Sequence, residues 1–224
     1  MVGGSRNDSR GPVAHGRRNG RFVIRERAIC LNEMEVRNRV AIVTGAGSGI
    51  GKAVAVELAA RGAAAVVAVD QSKAVLDTAQ AINNARYDLV ADAYVGDVTN
   101  ESFRRLVFDE TIALRGLPTI CVPAAGITRD NLAVKLDKET GKPSLYSLDH
   151  FRLVLEVNLV APIYWAMETV GRIAESRKAS GLKRWEPQED MQGAVVFIGS
   201  VSSQGNKGQV SYSATKAGLV GAAS

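Results

Sequence analysis

Short β-branched, apolar runs alternate along this chain with longer stretches whose apolar residues recur every three or four positions. The runs are RVAIVT (39–44), AAVVAV (64–69), DAYV (92–95), TICV (119–122) and GAVVFIGS (193–200). Most are apolar on both faces, the pattern of strands in a parallel sheet covered by helices on both sides. Ile50, Val54 and Leu58 recur every four residues after the first run and predict one apolar helical face. Further helices are predicted near 73–85, near 100–115 with Asn100 as its cap, over about 149–178, and from about 210 onward. Strand alternating with helix means βαβ units. The predicted fold is therefore α/β, a three-layer, doubly wound parallel sheet of Rossmann type. Two polar insertions, 129–150 with a turn around Gly141 to Pro143 and 180–193 with Trp185 and Pro187, interrupt the alternation and are expected to be surface loops.

Composition sharpens this picture in three places. The 224 residues are 46% hydrophobic, enough for one large domain with a full core. The net charge of +5 is mostly local. Residues 1–33 hold seven Arg against Asp8, Glu26 and Glu33, a net +4, whereas the remainder is nearly neutral. That segment is also rich in Gly and poor in apolar residues. Residues 1–36 are thus expected to be a disordered basic extension, with an RNA- or DNA-contacting arm or an organellar transit segment as alternatives. Few aromatics accompany the Arg residues for base stacking, which weighs against a nucleic-acid partner. Finally, Cys30, Cys121, His15 and His150 have no metal-ligand spacing, so no metal site is expected. No secretory signal and no apolar run long enough for a bilayer are recognised, and a reducing cytoplasm is the expected compartment.

TGAGSGIG (44–51) links the first predicted strand to the first helix. Gly45 suits a tight turn, Gly49 lets the backbone approach a pyrophosphate, and Gly51 lets helix and strand pack closely. The helix N-terminus adds free N–H groups and the positive end of the helix dipole. Asp70 ends the second strand nineteen residues after Gly51. A carboxylate there can accept from the ribose hydroxyls and repels a 2′-phosphate, which favours NAD over NADP; capping the next helix is its alternative use. Lys52 and Lys73 lie close enough in sequence to soften that preference. Asp97 follows the third strand, where either adenine contact or helix capping would place it.

SYSATK (211–216) puts Tyr212 and Lys216 four apart, on one helix face. An ammonium near a phenol favours phenolate. Such a phenol can protonate a carbonyl oxygen, or deprotonate an alcohol, while hydride moves at carbon. Ser200, at the carboxyl end of the fifth predicted strand, is placed to hold that oxygen; Ser202 and Ser203 are neighbouring candidates.

With these residues, positions 37–224 resemble the short-chain dehydrogenase/reductase family. The matching motifs are Thr44 to Gly51, Asp97, Asn158 within EVNLVAP, Ser200, Tyr212 and Lys216. AGITRDNL (125–132) and GNKGQVSYSATKAGL (205–219) are similar to 3-oxoacyl-(acyl-carrier-protein) reductases. The resemblance implies a Tyr212 acid/base, Lys216 tuning it and binding the nicotinamide ribose, Ser200 orienting the carbonyl, and Asn158 holding a proton-relay water. It implies that Gly45, Ser48, Gly49, Ile50, Gly51, Asp70, Asp97, Val98, Ala125 and Gly126, together with Tyr212 and Lys216, contact the cofactor, NAD with NADP as alternative. The implied substrate is a 3-oxoacyl thioester, on acyl carrier protein or as another small molecule; an NAD-dependent alcohol or hydroxyacyl dehydrogenase and a non-catalytic nucleotide-binding subunit are the alternatives. A homodimer or homotetramer is implied, formed by the two long helices that carry Trp165, Met167, Val170, Leu219 and Val220. Three departures stand out. Ala124 replaces the family's Asn in its N-A-G motif, Ser200 stands twelve residues before Tyr212 where many members have thirteen, and Gly47 and Ser48 occupy a loop that often carries a basic residue. The family continues with another strand, a substrate lid and a closing strand, so this sequence reads as a fragment or a truncated product.

Overall fold

The computed structural model describes residues 35–223. The expected disordered extension therefore lies almost wholly outside the described residues, as do Cys30 and His15.

Five strands form one parallel sheet in the order β3-β2-β1-β4-β7: β1 (Val40–Thr44), β2 (Ala65–Asp70), β3 (Ala91–Val95), β4 (Pro118–Pro123) and β7 (Ala194–Val195). Side chains alternate across the pleat. Ala41 and Val43 of β1 face one core layer with α1 (Gly49–Ala60) and α2 (Ala74–Arg86). Ile42 faces the other, with α3 (Glu101–Arg115) and α5 (Ala161–Ala179). This is the doubly wound arrangement that the alternating pattern predicts. Asn100 caps α3 as expected, accepting from Phe103 N at 2.9 Å.

Four details depart from expectation. The buried residues of α1 are Gly51, Ala55 and Ala59, flanked by half-buried Val54 and Leu58, while Ile50 is 61% exposed. Small residues take the innermost positions because the helix lies close against the sheet. Second, only Ala194 and Val195 of the predicted 193–200 run pair as a strand, so Ser200, expected at the carboxyl end of that strand, lies five residues beyond it. They pair with β4 alone, and no strand flanks the opposite edge among the described residues.

The third concerns the 129–150 insertion. It is exposed, as expected, yet it contains an antiparallel hairpin, β5 (Val134–Leu136) and β6 (Pro143–Leu145). Asp137 closes its turn by accepting from Glu139 N at 3.1 Å, Thr140 N at 2.7 Å and Thr140 Oγ1 at 2.8 Å. These bonds, led by that from the Thr140 amide, hold the Asp137 carboxyl below its usual range.

The fourth is the long helix. It runs as α4 (Leu148–Leu155), a π-helical turn (Glu156–Val160) and α5. A π turn marks an inserted residue, here within EVNLV around Asn158. By length and composition this continuous Leu148–Ala179 segment could cross a membrane, with a mean hydropathy of 1.3 in its most apolar window. The expectation of no such run is thereby corrected. Burial accounts for part of the apolarity: Ala161 and Trp165 lie in the core layer with Ile42 and Phe108, and Val154 is buried on α4. Trp165 also donates to Val98 O at 2.9 Å and stacks at a tilt on Phe108. Trp165 and Leu219 are core residues, whereas Met167, Val170 and Val220 face outward.

Candidate active site

Between β1 and α1 the chain reverses over a few residues, and its glycines do different things. Gly45 turns at φ +68°, where an added Cβ would lie 2.7 Å from Ala125 N. A Cβ at Gly51 would lie 2.3 Å from the Gly45 carbonyl oxygen. Both positions are closed to any side chain by packing. Gly49 has φ +53°, yet nothing lies within 4 Å of its missing Cβ. It leaves the floor of a cleft bare.

Asp70 reaches from the end of β2 to this loop. Its Oδ2 accepts from Gly47 N and its Oδ1 from Ser72 N, each at 2.9 Å. The carboxylate is therefore tied both to the glycine loop and to the segment entering α2. A Cβ at Gly47 would come within 3.0 Å of Asp70 Oδ2, so the absence of a side chain at 47 and the carboxylate at 70 are one arrangement. Asp97 Oδ1 accepts from Thr99 N at 2.9 Å and Thr99 Oγ1 at 2.8 Å. Thr44 Oγ1 accepts from Ala125 N at 3.1 Å, joining the ends of β1 and β4. Ala124, in place of an Asn, packs against the apolar layer beneath.

Gly45, Ser48, Gly49, Ile50, Gly51, Asp70, Asp97, Val98, Ala125 and Gly126 all line one cleft of about 620 Å³ at the carboxyl ends of the strands. Arg129 and Glu156, which stand within AGITRDNL and EVNLVAP with no role assigned there, line it too. The catalytic candidates stand outside that lining. Asn158 links the regions: its side chain accepts from Ile127 N at 2.8 Å and donates to Ile127 O at 2.7 Å. Ile127 lines the cleft, and the buried Asn158 amide holds both its N–H and its carbonyl. Leu159, next in the π turn, packs on Gly218 of α6 (Val210–Ala222), where a Cβ would lie 2.9 Å from Leu159 Cδ1.

Tyr212 and Lys216 lie one turn apart on α6. Lys216 is buried; its Nζ donates to Ile198 O at 2.7 Å and lies 5.6 Å from the centre of the Tyr212 ring. Burial pulls the Lys216 pKa below its ordinary value. Ser200 leads into a 3₁₀ turn (Val201–Gln204), and its Oγ accepts from Ser202 N at 3.1 Å. The Ser200 proton is left to donate elsewhere. Ser202 differs: it is buried, and its hydroxyl already donates to Gln209 Oε1 at 2.9 Å. Of these two serines, Ser200 is the one with a hydroxyl proton to offer.

The hairpin also reaches this region, which the sequence gives no reason to expect. Tyr146 shares a 3.0 Å hydrogen bond with Ser211, sixty-five positions away.

Comparison with known proteins agrees with this geometry. The short chain dehydrogenase family profile matches residues 39–224. The chain is 30% identical over 190 residues to a 3-oxoacyl-(acyl-carrier-protein) reductase of Aquifex aeolicus and 32% identical over 197 residues to that of Escherichia coli. It is 29% identical over 197 residues to a (3R)-3-hydroxyacyl-CoA dehydrogenase of Mus musculus. The alignments cover 84% of this chain with the two reductases and 85% with the mouse enzyme; they take in 66%, 66% and 67% of those proteins, about two thirds of their length. The glycine loop that lines the cleft, tied to Asp70 at the end of β2, falls within a profile match over most of the chain, and this protein belongs to the short-chain dehydrogenase family.

Proposed function

We propose that the protein is a nicotinamide-dependent oxidoreductase acting on a carbonyl/alcohol pair, with a 3-oxoacyl thioester, on acyl carrier protein or coenzyme A, as its substrate. The observation that carries this reading is the placement of the Lys216 ammonium over the Tyr212 ring, on the same end of the sheet as Ser200 and the glycine loop. The names of the reductases and of the hydroxyacyl-CoA dehydrogenase support the thioester class.

The cleft residues suit a dinucleotide. The bare backbone at Gly49 leaves room for a pyrophosphate, and α1 presents its N-terminus there. Asp70 would hold the adenosine ribose, Asp97 and Val98 the adenine side, and Ala125 and Gly126 the nicotinamide side. Gly47 offers no side-chain cation to a 2′-phosphate, and the Asp70 carboxylate beside it would repel one, which supports NAD. When bound, the nicotinamide ring supplies or accepts the hydride. The chain's own residues move the proton. Ser200 donates its free hydroxyl proton to the substrate oxygen, Tyr212 exchanges a proton with that oxygen, and the Lys216 ammonium favours the phenolate form. Asn158 acts by fixing the Ile127 peptide and the π turn on which α6 packs, so its role in this reading is positioning. The exposed Tyr164, Met167 and Val170 on α5 and Val220 on α6 support assembly into a dimer or tetramer. The free, buried thiol of Cys121 is compatible with a reducing cytoplasm.

The test is loss of NADH absorbance on mixing the full chain with a small panel of 3-oxoacyl thioesters. Turnover that follows acyl structure is expected. Bound NADH with no turnover on any member, in either direction, would refute the enzymatic reading. Preferential oxidation of 3-hydroxyacyl thioesters with NAD would instead favour a dehydrogenase, the direction that Asp70 supports.

A further inference from the structure

The hydroxyl of Ser200 is held by a chain of hydrogen bonds that begins outside the sheet, on the segment leading into the hairpin. Asp130 Oδ2 accepts from Gln209 Nε2 at 2.8 Å. Gln209 Oε1 accepts from Ser202 Oγ at 2.9 Å and from Asn206 Nδ2 at 2.8 Å. Ser202 N donates to Ser200 Oγ at 3.1 Å. Two backbone contacts brace the same junction: Asn131 N donates to Gly208 O at 2.8 Å, and Asn131 bridges Gln209 as an isolated parallel pair.

The direction of this chain follows from donor and acceptor inventory. A carboxylate only accepts, so Asp130 requires the amide nitrogen of Gln209 to face it. The Gln209 oxygen must then face Ser202, and the Ser202 hydroxyl must donate. Its proton is thereby removed from competition at the reacting oxygen, while the 3₁₀ turn stays closed with its Ser202 amide on Ser200 Oγ. Ser200 is left with a proton that this network does not use.

We propose that Gln209 is a positioning residue whose amide, oriented by Asp130, engages the Ser202 hydroxyl and so fixes Ser200, rather than Ser202, as the serine donor to the substrate carbonyl. This rests on the reading of Ser200, Tyr212 and Lys216 as reacting groups. It adds that the segment before the hairpin controls them. A side chain at 209 without an acceptor would free the Ser202 hydroxyl and loosen the turn. A neutral acceptor at 130 would preserve the arrangement, because an Asn oxygen can still receive the Gln209 N–H.

The experiment has two arms on the full chain. The first needs no turnover: amide hydrogen exchange at Ser202 and Ser203, with the β1 and β2 amides as a control for folding. Gln209→Ala and Asp130→Ala are expected to accelerate exchange at 202 and 203 and leave the sheet protected, while Asp130→Asn matches the wild type. Unchanged exchange in Gln209→Ala overturns the proposal. The second arm is kinetic. Gln209→Ala is expected to lower kcat on the order of 10²-fold, the scale of a misplaced catalytic contact, with NADH affinity unchanged, and Asp130→Asn is expected to restore what Asp130→Ala loses. An unaltered kcat in Gln209→Ala, or equal losses in Asp130→Asn and Asp130→Ala, refutes it. Altered exchange without any wild-type turnover would leave the hydrogen-bond chain standing and remove the enzymatic reading instead.

Discussion

The Lys216 ammonium lies 5.6 Å from the centre of the Tyr212 ring and is anchored by the Ile198 carbonyl at 2.7 Å. The anchor sits two residues before Ser200, so the segment that follows β7 and helix α6 hold one another. The lysine thus has two partners of different kinds, a backbone dipole that fixes it and an aromatic group that it polarises.

Replacing Tyr212 by Phe keeps the ring under the ammonium and removes only the hydroxyl. Turnover is expected to fall by roughly 10²–10⁴-fold, the range for losing a general acid/base, with NADH binding retained. Fluorescence titration and steady-state rates measure the two quantities. A variant with near wild-type kcat would exclude Tyr212 as the proton donor.

Lys216 makes stability depend on pH. Burial holds its folded pKa below the ordinary value of 10.5. Between the folded value and 10.5 the unfolded chain therefore binds more protons than the folded one, and stability rises with pH. Above 10.5 the contribution is fully present, and it is lost as pH falls through the folded value. Lys216→Met has no such term. The Tm of the wild type relative to Lys216→Met is expected to rise from neutral pH toward 10.5, and a pH-independent difference would contradict the burial argument.

Gly49 and Gly51 separate binding from folding. Gly51→Ala forces a Cβ to within 2.3 Å of the Gly45 carbonyl and is expected to lower stability by about 1–3 kcal/mol. Gly49→Ala meets no neighbour; it carries about 1–2 kcal/mol of left-handed backbone strain, and its methyl enters the cleft. Thermal melts should show the larger loss for Gly51→Ala, and NADH titration the larger loss of affinity for Gly49→Ala. Equal NADH affinity in wild type and Gly49→Ala would place the pyrophosphate elsewhere.

Asp70→Ser removes the carboxylate that opposes a 2′-phosphate. The ratio of NADPH to NADH affinity is expected to rise, and the loss of an acceptor for the Gly47 and Ser72 amides is expected to cost about 1 kcal/mol per bond. Parallel titrations with both cofactors, beside a melt, check this. An unchanged ratio would show that Asp70 does not face the ribose.

The layers and the cleft were legible because they depend on local periodicity and short motifs. Two-sided apolar runs announce covered strands, and a glycine loop between strand and helix announces where backbone must stay bare. Ten of the twelve expected cofactor positions line one cleft, and Tyr212 and Lys216 stand outside its lining. Of the Ile50, Val54 and Leu58 repeat, Val54 and Leu58 pack on the core and Ile50 does not, because a four-residue repeat does not reveal that the innermost positions belong to Gly51, Ala55 and Ala59. The hairpin at 134–145 escaped notice because three-residue strands leave almost no periodicity, and its turn depends on Asp137 gathering three donors.

By itself, the sequence determined the order of strands and helices, the glycine turn, the acidic end of β2 and the one-turn spacing of Tyr212 and Lys216. Each is set by residues within a few positions of one another, and local geometry follows from local sequence. Only the tertiary structure decided that Asn158 bonds to Ile127, that Lys216 is anchored on Ile198, and that Asp130 reaches Gln209 to leave Ser200 with a free proton. Those partners stand 31, 18 and 79 positions apart in the first three pairs. A polar side chain chooses its partner by what the fold brings within 3 Å of it, and no spacing rule along the chain encodes that choice.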